Sequence, residues 1–361
     1  MARVKRYLDI DVLTAARDRM RHIFDLFDSV VVMFSGGKDS LCCLELAREV
    51  AEERGQLPID VCFRDEELIP QDVIDTVEHY RAQSWCRMLY LAVPLESKKY
   101  VLGKTYRYVQ WDANRRHVRP MPDHAYKLPP GDARTFDQHA MDAFTAGFYR
   151  GNCAFVTGIR ADESLMRFRG VVNKLSENYI TKPTAPVGGG VPMPANVRLC
   201  KPIYDWSERD VFKFIGERGL RYARTYERQL FAGQAMRVST PIHAEQSKNF
   251  HLLRLVDPQL YAQVIDVFPE MLAHERYFRD LDRGAILDAY SGGGMDGVEQ
   301  FIRDQFEPAE QAKAIAALDD VRPRAAVDPE AYPIRYILKA FVNGTYKRKI
   351  LPISTAGRSR E

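Results

Sequence analysis

A continuous apolar run, Val30-Val31-Val32-Met33-Phe34, passes directly into Ser35-Gly36-Gly37-Lys38-Asp39-Ser40 and then into a segment carrying Leu41, Leu44, Ala47, Val50 and Ala51 at helical spacing. A strand that is apolar on successive residues belongs in a parallel sheet covered on both faces. Strand, glycine turn and helix together are half of a βαβ unit, so the chain must supply further parallel strands and crossover helices. The turn also has a chemistry. Two glycines and a lysine at a helix N-terminus offer exposed backbone N–H groups, the positive end of the helix dipole and one mobile ammonium, a geometry suited to phosphate. It is not a Walker A loop, because Asp39 follows Lys38 where that loop has Ser or Thr, and ordinary γ-phosphoryl chemistry loses its magnesium ligand.

The remaining pattern supplies what the first unit requires. Residues 8–27 read as an amphipathic helix, 59–63 as a strand, and Pro70 opens a helix with Val73, Ile74, Val77 and Tyr80 inward. A strand near 87–93, a helix over 134–150, and strands over 153–157 and 198–204 continue the alternation. Ser207-Glu208-Arg209-Asp210 is a capping box opening another helix. The expected fold is α/β, a doubly wound parallel sheet that binds its ligand at the carboxyl ends of the strands. Loops 35–40 and 158–167 both fall there. Residues 94–133 and 181–197, rich in Pro, Gly and polar residues, interrupt the pattern, and the first is long enough that a purely passive connection would be unusual. Helical patterns at 258–280, 296–318 and 329–342 predict a smaller α-helical C-terminal domain with a basic tail, giving domains 1–218 and 219–361.

Composition excludes other classes. With 361 residues, 46% of them hydrophobic and 28% charged, the chain is neither collagen-like nor wholly disordered. No apolar run approaches the eighteen or so residues of a membrane span, and the N-terminus lacks the apolar stretch of a secretory signal, so a cytoplasmic protein without membrane contact is expected. Cys42, Cys43, Cys62, Cys86, Cys153 and Cys200 form no C-x-x-C pair and read as reduced, mostly buried thiols, and the eight histidines have no ligand spacing.

Ser35-Gly36-Gly37-Lys38-Asp39-Ser40 resembles the SGGxDS pyrophosphate (PP) loop of the adenine nucleotide α-hydrolase-like superfamily. Gly158-Ile159-Arg160-Ala161-Asp162-Glu163-Ser164 with Arg167 is similar to the G-I-R-x-x-E-S segment of phosphoadenosine phosphosulfate (PAPS) reductases and ATP sulfurylases. Lys201-Pro202-Ile203-Tyr204-Asp205-Trp206, then Asp210-Val211, is similar to an element that follows in the same proteins. Trp111-Asp112, Val118-Arg119-Pro120-Met121-Pro122, Met236-Arg237-Val238 and Pro241-Ile242-His243 resemble the prophage co-activator subfamily typified by IbrA.

This resemblance implies an ATP or related adenine nucleotide site with Mg²⁺. Backbone N–H groups of Ser35, Gly36, Gly37, Lys38, Asp39 and Ser40 would hold the phosphates, Lys38 and Arg160 would neutralise a departing pyrophosphate, and Asp39 would help hold the metal. Gly158, Arg160, Glu163 and Arg167 would complete the cradle, with Glu163 orienting the arginines. Asp65 stands open between a nucleotide-side acid and, with Glu66 and Glu67, a solvated helix start. The implied chemistry is cleavage between the α- and β-phosphates by adenylyl transfer or pyrophosphatase action on an acceptor the sequence does not name. The alternative is a non-catalytic regulatory co-activator acting on DNA with a ParB-like partner. Sulfonucleotide reduction would need a cysteine from elsewhere, because none follows Cys200.

Charge distribution bears on partners. Residues 98–127 hold eight basic and two acidic residues, interleaved with Tyr100, Tyr106, Tyr108, Trp111 and Tyr126, and residues 335–360 hold seven basic and no acidic ones. The whole chain is only +3, so the remainder is −10. Cations among aromatic platforms suit nucleic acid or a nucleotide; packing of those aromatics on the sheet edge is the competing reading. Homo-oligomerisation is left open.

Overall fold

The computed structural model of the chain describes residues 8–353 apart from 165–166, 169–170, 172–178, 183–193, 245, 279–282, 307 and 348. The chain divides into two compact units, Met1–Leu272 and Ala273–Glu361.

The first unit opens with α1 (Val12–Leu26), capped by Asp11, whose carboxylate accepts from the amides of Leu13 and Thr14. Then follow β1 (Ser29–Met33), α2 (Lys38–Glu53), β2 (Ile59–Arg64), α3 (Gln71–Arg81) and β3 (Cys86–Leu91). A hairpin of β4 (Leu95–Val101) and β5 (Lys104–Gln110) comes next, then α4 (Gln138–Ala146), β6 (Cys153–Val156), β7 (Ile180–Thr181), β8 (Val197–Cys200) and α5 (Glu208–Arg218). The six-stranded sheet has the order β3-β2-β1-β6-β8-β7, parallel throughout except for the edge strand β7. This is the expected doubly wound arrangement, and the order of connection reverses between β1 and β6.

α1, α2, α3 and α5 supply much of the core on one face, with Met20, Leu44, Val50, Val77, Trp206 and Phe214 buried there. α4 packs on the other, against Val31, Phe155 and Val197. Elements are shorter than their sequence patterns: α4 occupies 138–146 of the expected 134–150, and the last parallel strand ends at Cys200. Lys201 still donates to the Tyr179 carbonyl (2.7 Å), and the chain leaves the ladder at Pro202, which cannot donate to it.

Two features go beyond the sequence pattern. Residues 94–133, whose length argued against a passive connection, carry the β4–β5 hairpin. Val101 pairs with Lys104 across a two-residue turn in which Leu102 and Gly103 have φ of 45° and 82°, the geometry of a type I′ hairpin, and leucine in place of asparagine concealed it. The boundary also lies at 272 rather than 218. Helices α6 (Thr225–Phe231), α7 (Phe250–Val256) and α8 (Pro258–Val267) belong to the first unit, because Val101, Tyr108 and Val118 share a core with Ile242, Phe250, Leu260, Val264 and Phe268. The division itself falls within α9 (Glu270–Tyr277).

The second unit contains α10 (Arg283–Ser291), α11 (Gly294–Gln305), α12 (Pro308–Val327) and α13 (Ile334–Val342) around Val298, Ile302, Leu318, Val321, Ile337 and Phe341. α13 carries Arg335 and Lys339 of the basic segment 335–360, and residues 354–361 of the expected basic tail lie outside the described residues. Among the described residues no helix is long and apolar enough to cross a membrane.

Candidate functional site

Strand order reverses between β1 and β6, the place where sheets of this kind bind their ligands, and both motif loops lie at the carboxyl ends of these two strands. After β1, Phe34 donates one further bond to the Cys62 carbonyl (2.9 Å) before the chain turns at Gly36. Gly36 has φ of 72°, and a Cβ there would lie 2.7 Å from Val73 Cγ1 and 2.9 Å from Val77 Cγ2, so α3 closes against a position that only glycine fits. The loop is tied internally. Ser40 Oγ accepts the Ser35 amide (3.1 Å) and donates to the Gly37 carbonyl (3.0 Å), while Ser35 Oγ accepts the Gly37 amide (3.3 Å).

After β6, Thr157 donates to the Cys200 carbonyl (2.8 Å) and Gly158 passes over the start of α2. A Cβ on Gly158 would meet the Asp39 carbonyl carbon at 2.5 Å and the Ser40 nitrogen at 2.6 Å. That contact delivers Arg160. Its Nε donates to Asp39 Oδ1 (2.6 Å) and its Nη1 to the Trp206 carbonyl (3.3 Å). The Lys201–Trp206 element supports this loop from below, with Ala161 donating to the Tyr204 carbonyl (2.7 Å) and Arg19 gripping Asp205 through two bonds of 2.7 Å.

Lys38 lies on the other side of the same carboxylate. Its side chain is 5% exposed, and its ammonium donates to Asp39 Oδ2 and to the Met236 carbonyl, both at 3.1 Å, with Glu208 at 3.6 Å. Asp39 thus bridges two cations, Lys38 and Arg160, at the N-terminus of a sixteen-residue helix. Such an array stabilises polyanionic charge through fixed donors and convergent cations.

The same geometry bears on the metal. Both Asp39 oxygens carry a cation, and no group of three or more metal-ligating side chains is found among the described residues. The described residues do not form a protein-held Mg²⁺ site.

Ser35, Gly36, Gly37, Lys38, Asp39, Ser40, Gly158 and Arg160 therefore come together. Glu163 and Arg167 serve the loop instead: Glu163 Oε2 accepts the Arg160 amide (3.0 Å) and pairs with Arg167, so the Arg160 guanidinium is oriented by Asp39 and not by Glu163.

Asp65 belongs to a separate buried cluster. Its carboxylate accepts from Tyr90 (2.8 Å) and the Glu67 amide (2.9 Å) and pairs with Arg119, which lies 5.0 Å over the Trp111 ring. Burial, and then the Asp65 charge, raise the Tyr90 hydroxyl above its ordinary pKa. Neither acid is a solvated helix start. Glu67 is 0% exposed and accepts from the amides of Trp111 (2.7 Å) and Val118 (2.8 Å) and from both terminal nitrogens of Arg115 (2.8 and 2.5 Å).

These pairings recast the basic segment 98–127. Lys99, Arg107, Arg115, Arg116 and Arg119 pair with Glu270, Glu96, Glu67, Asp266 and Asp65, while Lys98, Lys104 and Lys127 are exposed. Tyr100, Tyr108 and Trp111 are buried, so packing accounts for these three aromatics.

All six cysteines are free and buried. Burial pushes the thiols of Cys62, Cys86 and Cys153 up to about 12, and raises Cys42 and Cys43 as well. Met236, which the sequence marked only as part of Met236-Arg237-Val238, and Tyr226, which carried no signal, both reach the site. Tyr226 Oη accepts the Lys38 amide at 3.0 Å, across 188 residues of chain.

The chain is 28% identical over 271 residues to the uncharacterized protein YbdN of Escherichia coli (strain K12), covering 71% of this chain and 64% of that protein's length. Among solved structures it is similar to a PAPS reductase from Candida auris in a phosphate complex (12% identity, 59% of this chain and 84% of that chain, TM-score 0.33). It is also similar to the FMN adenylyltransferase of Candida glabrata in complex with FMN and the ATP analog AMPCPP (14% identity, 62% and 65% covered, TM-score 0.37). Residues 29–263, which contain both motif loops and the helices that close over them, match the phosphoadenosine phosphosulfate reductase domain, and the chain belongs to that family.

Proposed function

We propose that the chain binds ATP or a related adenine nucleotide at Ser35–Ser40 and cleaves it between the α- and β-phosphates. An acceptor oxygen attacks the α-phosphorus, the bond to the bridging oxygen breaks, and pyrophosphate leaves with the electron pair. The products are pyrophosphate and AMP, free or joined to the acceptor. Lys38 and Arg160 neutralise the leaving group, and backbone N–H groups at the start of α2 hold it. The observation that carries this reading is the pair of cations converging on Asp39 at the helix N-terminus, at the strand-order reversal where sheets of this kind bind their ligands. Magnesium on this reading arrives with the polyphosphate, held chiefly by phosphate oxygens and water.

The test is product analysis of α-labelled ATP with Mg²⁺, with and without sulfate and single-stranded nucleic acid, comparing wild type with Lys38→Ala. Labelled AMP or an adenylylated acceptor, lost in the variant, is expected; equal pyrophosphate release by the variant refutes the assignment. Sulfonucleotide reduction is disfavoured, since each cysteine is buried and none follows Cys200.

A second reading, nucleotide binding without turnover in a DNA-linked co-activator of the IbrA type with a ParB-like partner, draws support from the covering of Lys38 by Met236 and Tyr226. Tight ATP binding with no product, together with nucleotide-dependent and salt-sensitive DNA binding, would favour it.

A further inference from the structure

The N-terminus of α2 has no side-chain cap of its own. The first amide of that helix, on Lys38, donates instead to the phenol of Tyr226, whose oxygen would lie 3.1 Å from a Cβ on Gly37. Tyr226 is 2% exposed, and burial raises its hydroxyl above its ordinary pKa, so it stands there as a neutral oxygen. The same segment takes the lysine side chain. The Met236 carbonyl accepts from the ammonium, and the Tyr226 ring lies 5.2 Å from that nitrogen.

Between these two contacts the segment is pinned to itself and to α3. Gln229 accepts the Arg237 amide (3.0 Å) and donates to the Arg237 carbonyl (2.7 Å), closing residues 229–237 into a loop. Asp72 on α3 accepts from the Thr225 amide and hydroxyl, both at 2.6 Å, and from Arg228 at 3.0 Å. Two neutral oxygens, one phenolic and one carbonyl, thus occupy the two donors that an incoming phosphate needs most: the first helix N–H and the loop ammonium.

Resting on the nucleotide reading above, we infer that residues 225–237 are an internal plug of the phosphate loop, and that polyphosphate binds only as Tyr226 and Met236 withdraw. The apparent affinity of the closed chain is then the intrinsic affinity reduced by the fraction of open molecules. Anything that weakens the plug tightens binding, in contrast to a lid, whose contacts form on the ligand.

Tyr226→Phe tests this directly, because the ring remains to fill the core and only the hydroxyl is lost. One net hydrogen bond corresponds to about a two- to tenfold change in equilibrium. The variant should bind ATP and inorganic pyrophosphate more tightly by that factor in calorimetry, with Tm measured alongside. Hydrogen exchange of the 225–237 segment should accelerate when pyrophosphate is added to wild type. If wild type binds both probes but Tyr226→Phe binds equally or more weakly, or if pyrophosphate protects the segment, the plug is overturned and the nucleotide site stands. If neither protein binds either probe at millimolar concentration, the nucleotide reading falls and takes the plug with it.

Discussion

Gly158 is the position at which the architecture of the site is most exposed to a one-atom change. A Cβ placed there meets three backbone atoms of another element: Asp39 C at 2.5 Å, Ser40 N at 2.6 Å and Asp39 O at 2.8 Å. Ordinary contact begins near 3.4 Å, so Gly158→Ala must drive the β6 loop and the start of α2 apart by roughly 0.8 Å, and no flexible side chain can yield instead. Overpacking of this kind costs about 1–3 kcal/mol, which for a unit of this size lowers Tm by roughly 2–10 °C. The larger effect is on the site. The displacement separates Arg160 from Asp39, and on the proposed α,β-cleavage a shift of about 1 Å at reacting groups should cost on the order of a hundredfold in turnover. The assays are differential scanning calorimetry and pyrophosphate release, with Gly216→Ala as control. A Cβ on Gly216, inside α5, has nothing within 4 Å, so that change should be neutral or stabilising by about 0.5–1 kcal/mol. Unchanged Tm and unchanged release in Gly158→Ala would refute the reasoning.

Other perturbations have defined outcomes. Glu67→Ala strands the Arg115 guanidinium and two buried amides and should cost about 3–5 kcal/mol in urea unfolding, with Glu67→Gln intermediate. Ser207→Ala removes the capping box of α5 and should cost about 0.5–2 kcal/mol by the same measurement. Cys62, Cys86 and Cys153 hold their protons to about 12 when folded, whereas the unfolded thiols release them from 9.0. The folded state therefore binds more protons between these values. Stability from these thiols is intact below pH 9 and falls as pH rises from 9 towards 12, which chemical unfolding at stepped pH would show. At pH 8 a disulfide-forming chromogenic reagent should find almost no fast thiol in native protein and six in denaturant.

The glycine loop 35–40 was legible because its determinants are local: a buried strand, two glycines and a helix start lie within a dozen residues, and strand order with the close approach of Gly158 brings loop 158–163 to it. The hairpin was not, since its turn rests on Leu102 and Gly103 in left-handed geometry, where sequence pattern expects Asn or Asp first. Residues 225–268 show helical spacing correctly, yet spacing cannot say which core a helix joins. Their apolar faces are matched by Val101, Tyr108 and Val118, residues that composition had marked as part of a basic loop.

The run Asp65-Glu66-Glu67 shows why charge is harder to read than periodicity. In sequence these are three adjacent acids after a strand, a pattern that solvation explains. In the fold each meets a different partner from far along the chain: Asp65 pairs with Arg119, Glu66 accepts from Thr240 at 3.1 Å, and Glu67 binds Arg115 and two amides. A buried carboxylate persists only where donors satisfy it, so the acids and the arginines of the basic segment form one neutral structure seen as two charged ones. The same principle acts at the loop with the signs reversed. Lys38 is buried because Asp39, Met236 and Glu208 surround its ammonium, and removing any one of them for a phosphate exchanges one satisfied arrangement for another. On the proposed nucleotide reading, occupancy of the site is a competition between the chain's own acceptors and those of the ligand, and the strength of the former sets how much the latter must offer.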